Sequence, residues 1–294
     1  VKHLEATFKG AGGLSLYSQS WYPQGSVRAI VVIVHGLGAH SGVFYKVVEY
    51  LIPRGYAVYA FDLRGHGRSP GQRGHINAWV EFRDDLNAFL KWIRHQEPGY
   101  PCFLWGHSLG GAIALDYVLR SPEGLQGVIV TAPALGKTTV SPLKIMLGRL
   151  LSQIWPHFSL RVGIERRTAS RDPQVLSEYA QDPLRHEYGS ARLATEFFKT
   201  VDWIQHHGSD LRIPLLLLHG SEDHVTLPES SWAFCQQIVF SDKECHEYPG
   251  GYHDLYADIN YQGVLADLVN WLEQHLPRDP EQGLNAVKTS ALQI

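Results

Sequence analysis

The stretch Cys102-Phe103-Leu104-Trp105-Gly106-His107-Ser108-Leu109-Gly110-Gly111 sets a serine between an apolar strand and a helix expected over about 109–120. A serine hydroxyl is a poor nucleophile until a base removes its proton. G-x-S-x-G on a strand-turn-helix is the context that exposes such a serine at the top of a sheet, with backbone N–H groups close by. Gly106 and Gly110 fit the same purpose, since a side chain at either position would collide with neighbouring backbone.

A serine nucleophile needs a histidine as base and a carboxylate to orient it. On a turn of this kind the three follow one another in the order serine, acid, histidine. The apolar run 213–219 ends in Gly220-Ser221-Glu222-Asp223-His224, which makes Asp223 the expected acid and Glu222 the second choice. The run 243–248 ends in Pro249-Gly250-Gly251-Tyr252-His253-Asp254, which makes His253 the expected base among sixteen histidines. Asp254 is the neighbour of His253 in the chain, poorly placed to bond its ring, and is expected to start a helix.

The tetrahedral intermediate of acyl transfer carries a negative oxygen that needs preorganised donors. The backbone N–H of Leu109 is one expected donor. The second is that of Leu37, in His35-Gly36-Leu37-Gly38 after the run 28–34. Asp62 follows another strand beside Arg64, His66 and Arg68, and is expected to brace a loop. His219, His224 and Asp223 lack a metal-ligand spacing, so neither metal nor cofactor is expected.

The elements that hold these residues alternate. Residues 5–9 and 14–22 read as an edge hairpin. Runs at 28–34, 56–61, 102–107, 127–132, 213–219 and 243–248 read as strands, most of them apolar enough for burial on both faces. Helices are expected between them, including one after Asn77 as cap, with Trp79, Phe82, Leu86, Phe89, Leu90 and Ile93 on one face. That pattern implies a mostly parallel sheet with helices on both faces, whose ligands bind at the carboxyl ends of the strands. The alternation breaks at 135–190, an expected inserted cap. It includes a helix whose apolar face would hold Leu143, Met146, Leu147, Leu150, Leu151 and Ile154. The expected organisation is therefore a core of 1–134 and 191–276, a cap of 135–190 and a polar tail of 277–294.

With 294 residues, 44% hydrophobic and 19% charged, the chain reads as a soluble globular protein. A formal net charge of -3 without a basic block argues against nucleic acid. Cys102, Cys235 and Cys245 are scattered and read as reduced thiols, pointing to the cytoplasm. No run of about 18 apolar residues suggests a membrane span.

The stretches HGLGAHSG at 35–42, FDLRGHGRSPG at 61–71, GHSLGG at 106–111, LLLHGSEDHV at 216–225 and YPGGYHDLYAD at 248–258 together resemble the α/β-hydrolase fold family, and within it the monoacylglycerol lipase and lysophospholipase group. The resemblance implies Ser108, Asp223 and His253 as a triad, and Leu37 and Leu109 as oxyanion donors. It also implies a lid at 135–190 that meets lipid surfaces. Tyr179 matches a lid tyrosine near the alcohol end of the substrate, and Leu147 and Leu151 would face the acyl chain. The glutamate and arginine that line the glycerol pocket in this group are Ala39 and Val43 here, and a histidine three residues past the catalytic one is Tyr256. The expected activity is hydrolysis of single-chain lipid esters. A small-ester carboxylesterase, a peptidase and a slow-hydrolase receptor are the alternatives.

Overall fold

The structure is a computed structural model that describes residues 1–136, 142–162 and 168–277, with the backbone alone for 142–147. The expected tail, beyond Pro277, lies outside the described residues.

Eight strands form one sheet in the order β1-β2-β4-β3-β5-β6-β9-β10. β1 (Lys2–Lys9) and β2 (Ser15–Tyr22) make an antiparallel hairpin on one edge. β2 joins β4 (Tyr56–Phe61) antiparallel, and every pairing beyond that is parallel. β3 (Ala29–Val34), the elbow strand β5 (Cys102–His107), β6 (Gly127–Thr131) and β9 (Leu215–Gly220) are buried at every residue. β10 (Lys243–Tyr248) closes the other edge, half-buried.

The two faces of β3 show how the layers are made. Ile30, Val32 and Val34 join a core with α2 (Val80–Gln96), α3 (Leu109–Val118), α6 (Ala191–His206) and α7 (Pro228–Gln237). Ala29, Val31 and Ile33 join a second core with α1 (Tyr45–Leu51) and α8 (Tyr261–Gln274). Period-two alternation sends successive side chains to opposite faces, so a strand covered on both must be apolar throughout.

Between β6 and α6 the chain leaves the sheet. It runs through α4 (Pro142–Ile154), β7 (Ser159–Arg161), α5 (Pro173–Gln181) and β8 (Tyr188–Ser190). β7 and β8 pair antiparallel as a separate ribbon. The sequence gives no sign of this pair, because three-residue strands carry too little periodicity. α4 packs against α6, where the Arg192 guanidinium donates to the Ser152 carbonyl at 2.8 Å. Val175 and Tyr179 of α5 are buried in the core shared with α1 and α8.

Two expectations need correction. Asn77 does not cap α2. The helix begins three residues later, and Glu81 in its first turn reaches back to accept the Asn77 N–H at 2.8 Å and its amide at 3.0 Å. Asn77 thus bonds the carboxylate of the first turn, and among the described residues no side chain caps the start of the helix at Trp79. Cys235 and Cys245 are not reduced thiols. They form a disulfide with Cα atoms 6.7 Å apart, because the end of α7 returns beside β10; Cys102 is free and buried.

Candidate active site

Ser108 follows β5 and precedes α3 with φ 55° and ψ −118°, a positive-φ conformation that side chains rarely adopt. Its N–H donates to the Thr131 carbonyl on β6 at 3.1 Å. The flanking glycines are needed for space. A Cβ on Gly106 would overlap the Gly110 carbonyl, and one on Gly110 would overlap the Val34 carbonyl of β3. α3 can therefore press onto the sheet and hold the strained turn. A Cβ on Gly36 would stand 3.4 Å from the Ser108 hydroxyl oxygen, which puts the 35–38 loop against the serine.

Asp223 leaves β9 and His253 leaves β10, as the strand exits require. His253 Nδ1 lies 2.7 Å from Asp223 Oδ2. The same oxygen accepts from His219 Nε2 at 3.0 Å and from the Thr226 hydroxyl at 2.8 Å. Oδ1 accepts the N–H groups of Val225 and Thr226 at 2.7 and 3.0 Å. Burial alone would raise the Asp223 pKa, but His253 and His219 outweigh it and hold the carboxyl well below its ordinary range. Burial likewise works against a charged His253, and the Asp223 charge and hydrogen bond reverse that, so its pKa ends above the ordinary value. Glu222, the alternative acid, is exposed beside His224 and far from this role.

The sequence offers no sign that His219 is a partner of Asp223. It reads there as one more strand residue, yet it is fully buried, with Nδ1 2.8 Å from the Ser231 hydroxyl. Asp254 is a second residue the sequence undervalues. It starts no helix and does not touch the His253 ring. Its buried carboxylate accepts His107 Nε2 at 3.0 Å through Oδ1 and the Tyr179 hydroxyl at 2.7 Å through Oδ2. Tyr179 is thus brought to the histidine loop with its hydroxyl engaged on Asp254.

Leu109 opens α3, so its N–H has no partner within the helix. Among the described residues the Leu37 N–H meets no acceptor. The 35–38 loop is braced from both sides. His35 Nδ1 donates to the Gly36 carbonyl at 2.8 Å, and its Nε2 accepts the Leu63 N–H at 3.0 Å. From the 168–190 segment, the His186 N–H donates to the Gly38 carbonyl at 3.0 Å. His40 takes the Gly42 N–H on Nδ1 and donates from Nε2 to Asp182 at 2.6 Å. Asp62 braces a loop as expected: it accepts the Ser41 N–H and hydroxyl at 2.7 and 2.6 Å, and the Arg68 N–H at 2.7 Å.

Ala39 and Val43 are buried in the α1–α8 core. Tyr256 is buried there too, edge-on to His107 at 5.0 Å and tilted against Phe44 at 4.7 Å. These three positions therefore supply packing. On α4, Leu151 is half-buried, while Leu150 and Ile154 are exposed; the side chains of Leu143, Met146 and Leu147 lie outside the described residues. Trp155, Leu160 and Val162 are exposed as well. Among the described residues, His107, His253 and Asp254 each offer an atom that could ligate a metal, within 4.8 Å of one another. Hydrogen bonds already occupy Nδ1 of His253, Nε2 of His107 and both oxygens of Asp254.

The sheet order, the strained serine turn and a histidine–carboxylate pair at two later strand exits define an α/β-hydrolase. Sequence comparison narrows this. The chain belongs to the Hydrolase_4 family, described as serine aminopeptidase, S33, whose model matches residues 25–260. A monoacylglycerol lipase from Mycolicibacterium smegmatis is 30% identical over 275 residues, covering 92% of this chain and 98% of the relative. A monoglyceride lipase from Rattus norvegicus is 28% identical over 271 residues, covering 90% of this chain and 89% of its own. The crystal structure of Paleococcus ferrophilus monoacylglycerol lipase superposes with a TM-score of 0.81 at 34% identity, covering 88% of this chain and 99% of that one. The chain is a hydrolase of this class. Among the described residues no helix is long and apolar enough to cross a membrane.

Proposed function

We propose that this hydrolase cleaves the carboxylic ester of single-chain lipids, monoacylglycerol or lysophospholipid, through an acyl-enzyme on Ser108. The observation that carries the reading is the 2.7 Å contact between His253 Nδ1 and Asp223 Oδ2 at two strand exits. A carboxylate can only accept, so Nδ1 holds the proton and Nε2 keeps its lone pair. Nε2 then takes the Ser108 proton as the hydroxyl attacks the ester carbonyl. The N–H groups of Leu109 and Leu37 receive the oxyanion. His253 returns the proton to the leaving alcohol, and then activates the water that releases the fatty acid. The names of the relatives support the lipid ester, and so do the exposed apolar residues Leu150 and Ile154 on α4 and Leu160 on β7. Residues 135–190 act as a cap in this reading, with Leu151 and Tyr179 facing substrate.

An aminopeptidase would need a carboxylate for the free amino group of its substrate. Among the described residues, half-buried Asp182 and buried Asp254 and Asp258 are carboxylates at the cap contact, and His40, His107 with Tyr179, and Arg171 already occupy them. Peripheral contact with a lipid surface through Leu150, Ile154, Trp155 and Leu160 fits the same substrate. The Cys235–Cys245 bridge removes the support that reduced cysteines would lend to a cytoplasmic location.

The test is turnover on p-nitrophenyl esters of increasing length, then on monoacylglycerol and lysophosphatidylcholine. Rising specificity with chain length is expected. Best activity on the acetyl ester would replace the lipid reading by a small-ester carboxylesterase.

A further inference from the structure

His253 and Asp254 are adjacent in the chain, yet the side chain of one meets Asp223 and that of the other meets the cap and the elbow strand. Asp254 is 4% exposed, and both of its oxygens accept hydrogen bonds within the protein. Oδ1 takes the Nε2 proton of His107, the residue before Ser108. The other His107 nitrogen meets the Thr131 hydroxyl at 3.0 Å, and the Trp105 indole donates to that hydroxyl at 3.0 Å. Oδ2 takes the Tyr179 hydroxyl from α5. The Asp254 N–H donates to the Ala169 carbonyl at 2.7 Å, within the cap segment ahead of α5. The His107 and His253 rings sit 4.8 Å apart.

We propose that Asp254 is a positioning residue that ties the cap, the elbow strand and the His253 loop into one unit, so that seating of α5 and orientation of the base occur together. The proposal rests on the reading of His253 as the base. It follows from where the bonds go. The elbow strand through His107 and the cap through Tyr179 each reach the carboxylate by a hydrogen bond of their own, and the residue just before Asp254 in the chain is His253. If α5 lifted away, Oδ2 would lose its donor in a buried site, where an unmatched charged acceptor is costly. The unit therefore favours the seated cap, and it holds His107 as a packing wall behind the His253 ring.

The charge of Asp254 also reaches His253, after the larger effects of burial and Asp223. The groups around the base are Asp223 and Asp254, with His107 on β5. Those around Asp254 are His107 and His253, then Arg185, Tyr179 and Tyr256. The His107 proton keeps the Asp254 carboxyl down at about 2 despite burial, so it is ionised wherever His253 works.

The experiment is a double-mutant cycle on Asp254→Asn and Tyr179→Phe, read as kcat, KM and the pH profile of kcat/KM on a monoacylglycerol or p-nitrophenyl ester. Each single variant should lower kcat by roughly tenfold, the scale of one hydrogen bond to a charged group. The double variant should lose little more than either, since both break one linkage. Asp254→Asn should also move the acid limb to lower pH, because a negative charge that helps His253 hold its proton is gone. Tyr179→Phe should leave that limb in place. Losses that multiply, or an unmoved acid limb with kcat intact, would overturn the proposal. Tyr179→Phe removes one oxygen from a buried ring, so its kcat decides the question if Asp254→Asn does not fold. A fluorophosphonate probe on the wild type separates this result from the parent reading. Failure to label Ser108 removes the base assignment itself, whereas labelling with kinetically silent variants removes only the role of Asp254.

Discussion

His219 and His253 hydrogen-bond to the same oxygen of Asp223, at 3.0 and 2.7 Å. The two rings differ in what lies beyond. His219 is closed in by Ser231 on its other nitrogen, so with Nε2 donating to Asp223 it has no proton to exchange with substrate. Its effect is on the acid: it fixes the carboxylate that fixes His253. Replacing it by leucine removes one donor from a buried anion and leaves the packing volume nearly filled. His219→Leu should lower kcat by roughly tenfold, with KM little changed. A shift in KM alone would show that the histidine supports the pocket rather than Asp223.

For the nucleophile, Ser108→Ala should fold and lose nearly all turnover, a loss on the order of 10⁶ in other serine hydrolases. Fluorophosphonate labelling, followed by mass spectrometry, should find Ser108 in the wild type and nothing in the variant. Labelling at another serine would move the centre of the site.

Asp223→Asn should cost on the order of 10⁴ in kcat, since an amide permits the wrong imidazole tautomer. Glu222→Gln changes an exposed side chain and should cost little. Steady-state kinetics of the two variants settle the matter, and reversed results would hand the role to Glu222.

Acid should weaken the fold before it removes the carboxylate charges. Burial keeps His35 down at about 3, drives His66 well below its ordinary value, and lowers His107 despite Asp254. Half-buried His186 is lowered to about 4. An unfolded histidine titrates near 6.5, so below that pH the unfolded chain binds the extra protons and stability falls. Each fully buried histidine contributes up to about 1.4 kcal/mol per pH unit in that window. His253, whose pKa is raised, acts in the opposite sense, and its contribution is lost as pH rises through its folded value. Depressed Asp223 and Asp254 add a further loss below about pH 4. Urea midpoints should therefore drop from pH 7 to pH 5. An unchanged midpoint would mean that these rings are protonated inside the folded protein.

The half-buried Leu151 of α4 tests the acyl reading. Leu151→Asp should reduce turnover of long-chain esters by roughly tenfold more than that of p-nitrophenyl acetate. A buried methylene contributes about 0.8 kcal/mol, so a long chain depends on the cap far more than an acetyl group does. Equal losses at an unchanged melting temperature would assign Leu151 to packing against the core.

Much of this molecule can be read from its residues. β3, β5 and β9 announce themselves because a strand covered on both faces must be apolar throughout, and Asp223 and His253 stand at strand exits where the order of elements requires them. His219 and Asp254 cannot be found that way. The partners of Asp254 come from β5 and α5, distant in sequence, and no local pattern records such meetings; those of His219, namely Asp223 and Ser231, are near in the chain, but a histidine on an apolar strand carries no mark of them. β7 and β8 are too short to show a period. The Cys235–Cys245 bridge depends on how α7 returns beside β10, a matter of packing rather than of spacing. The start of α2 escapes for a smaller reason: Asn77 has the right side chain for a cap, but the helix starts three residues later and Asn77 bonds Glu81 instead.

The backbone of Ser108, at φ 55° and ψ −118°, sets fitness for work against fitness for storage. Such a conformation costs a non-glycine residue on the order of 1–3 kcal/mol. Glycine would relieve that strain at the one position where glycine cannot react. A laboratory selection for heat tolerance alone would thus reward the loss of the hydroxyl. Libraries built to harden this protein must hold residue 108 fixed, or score turnover in every round, to avoid converging on an inert scaffold.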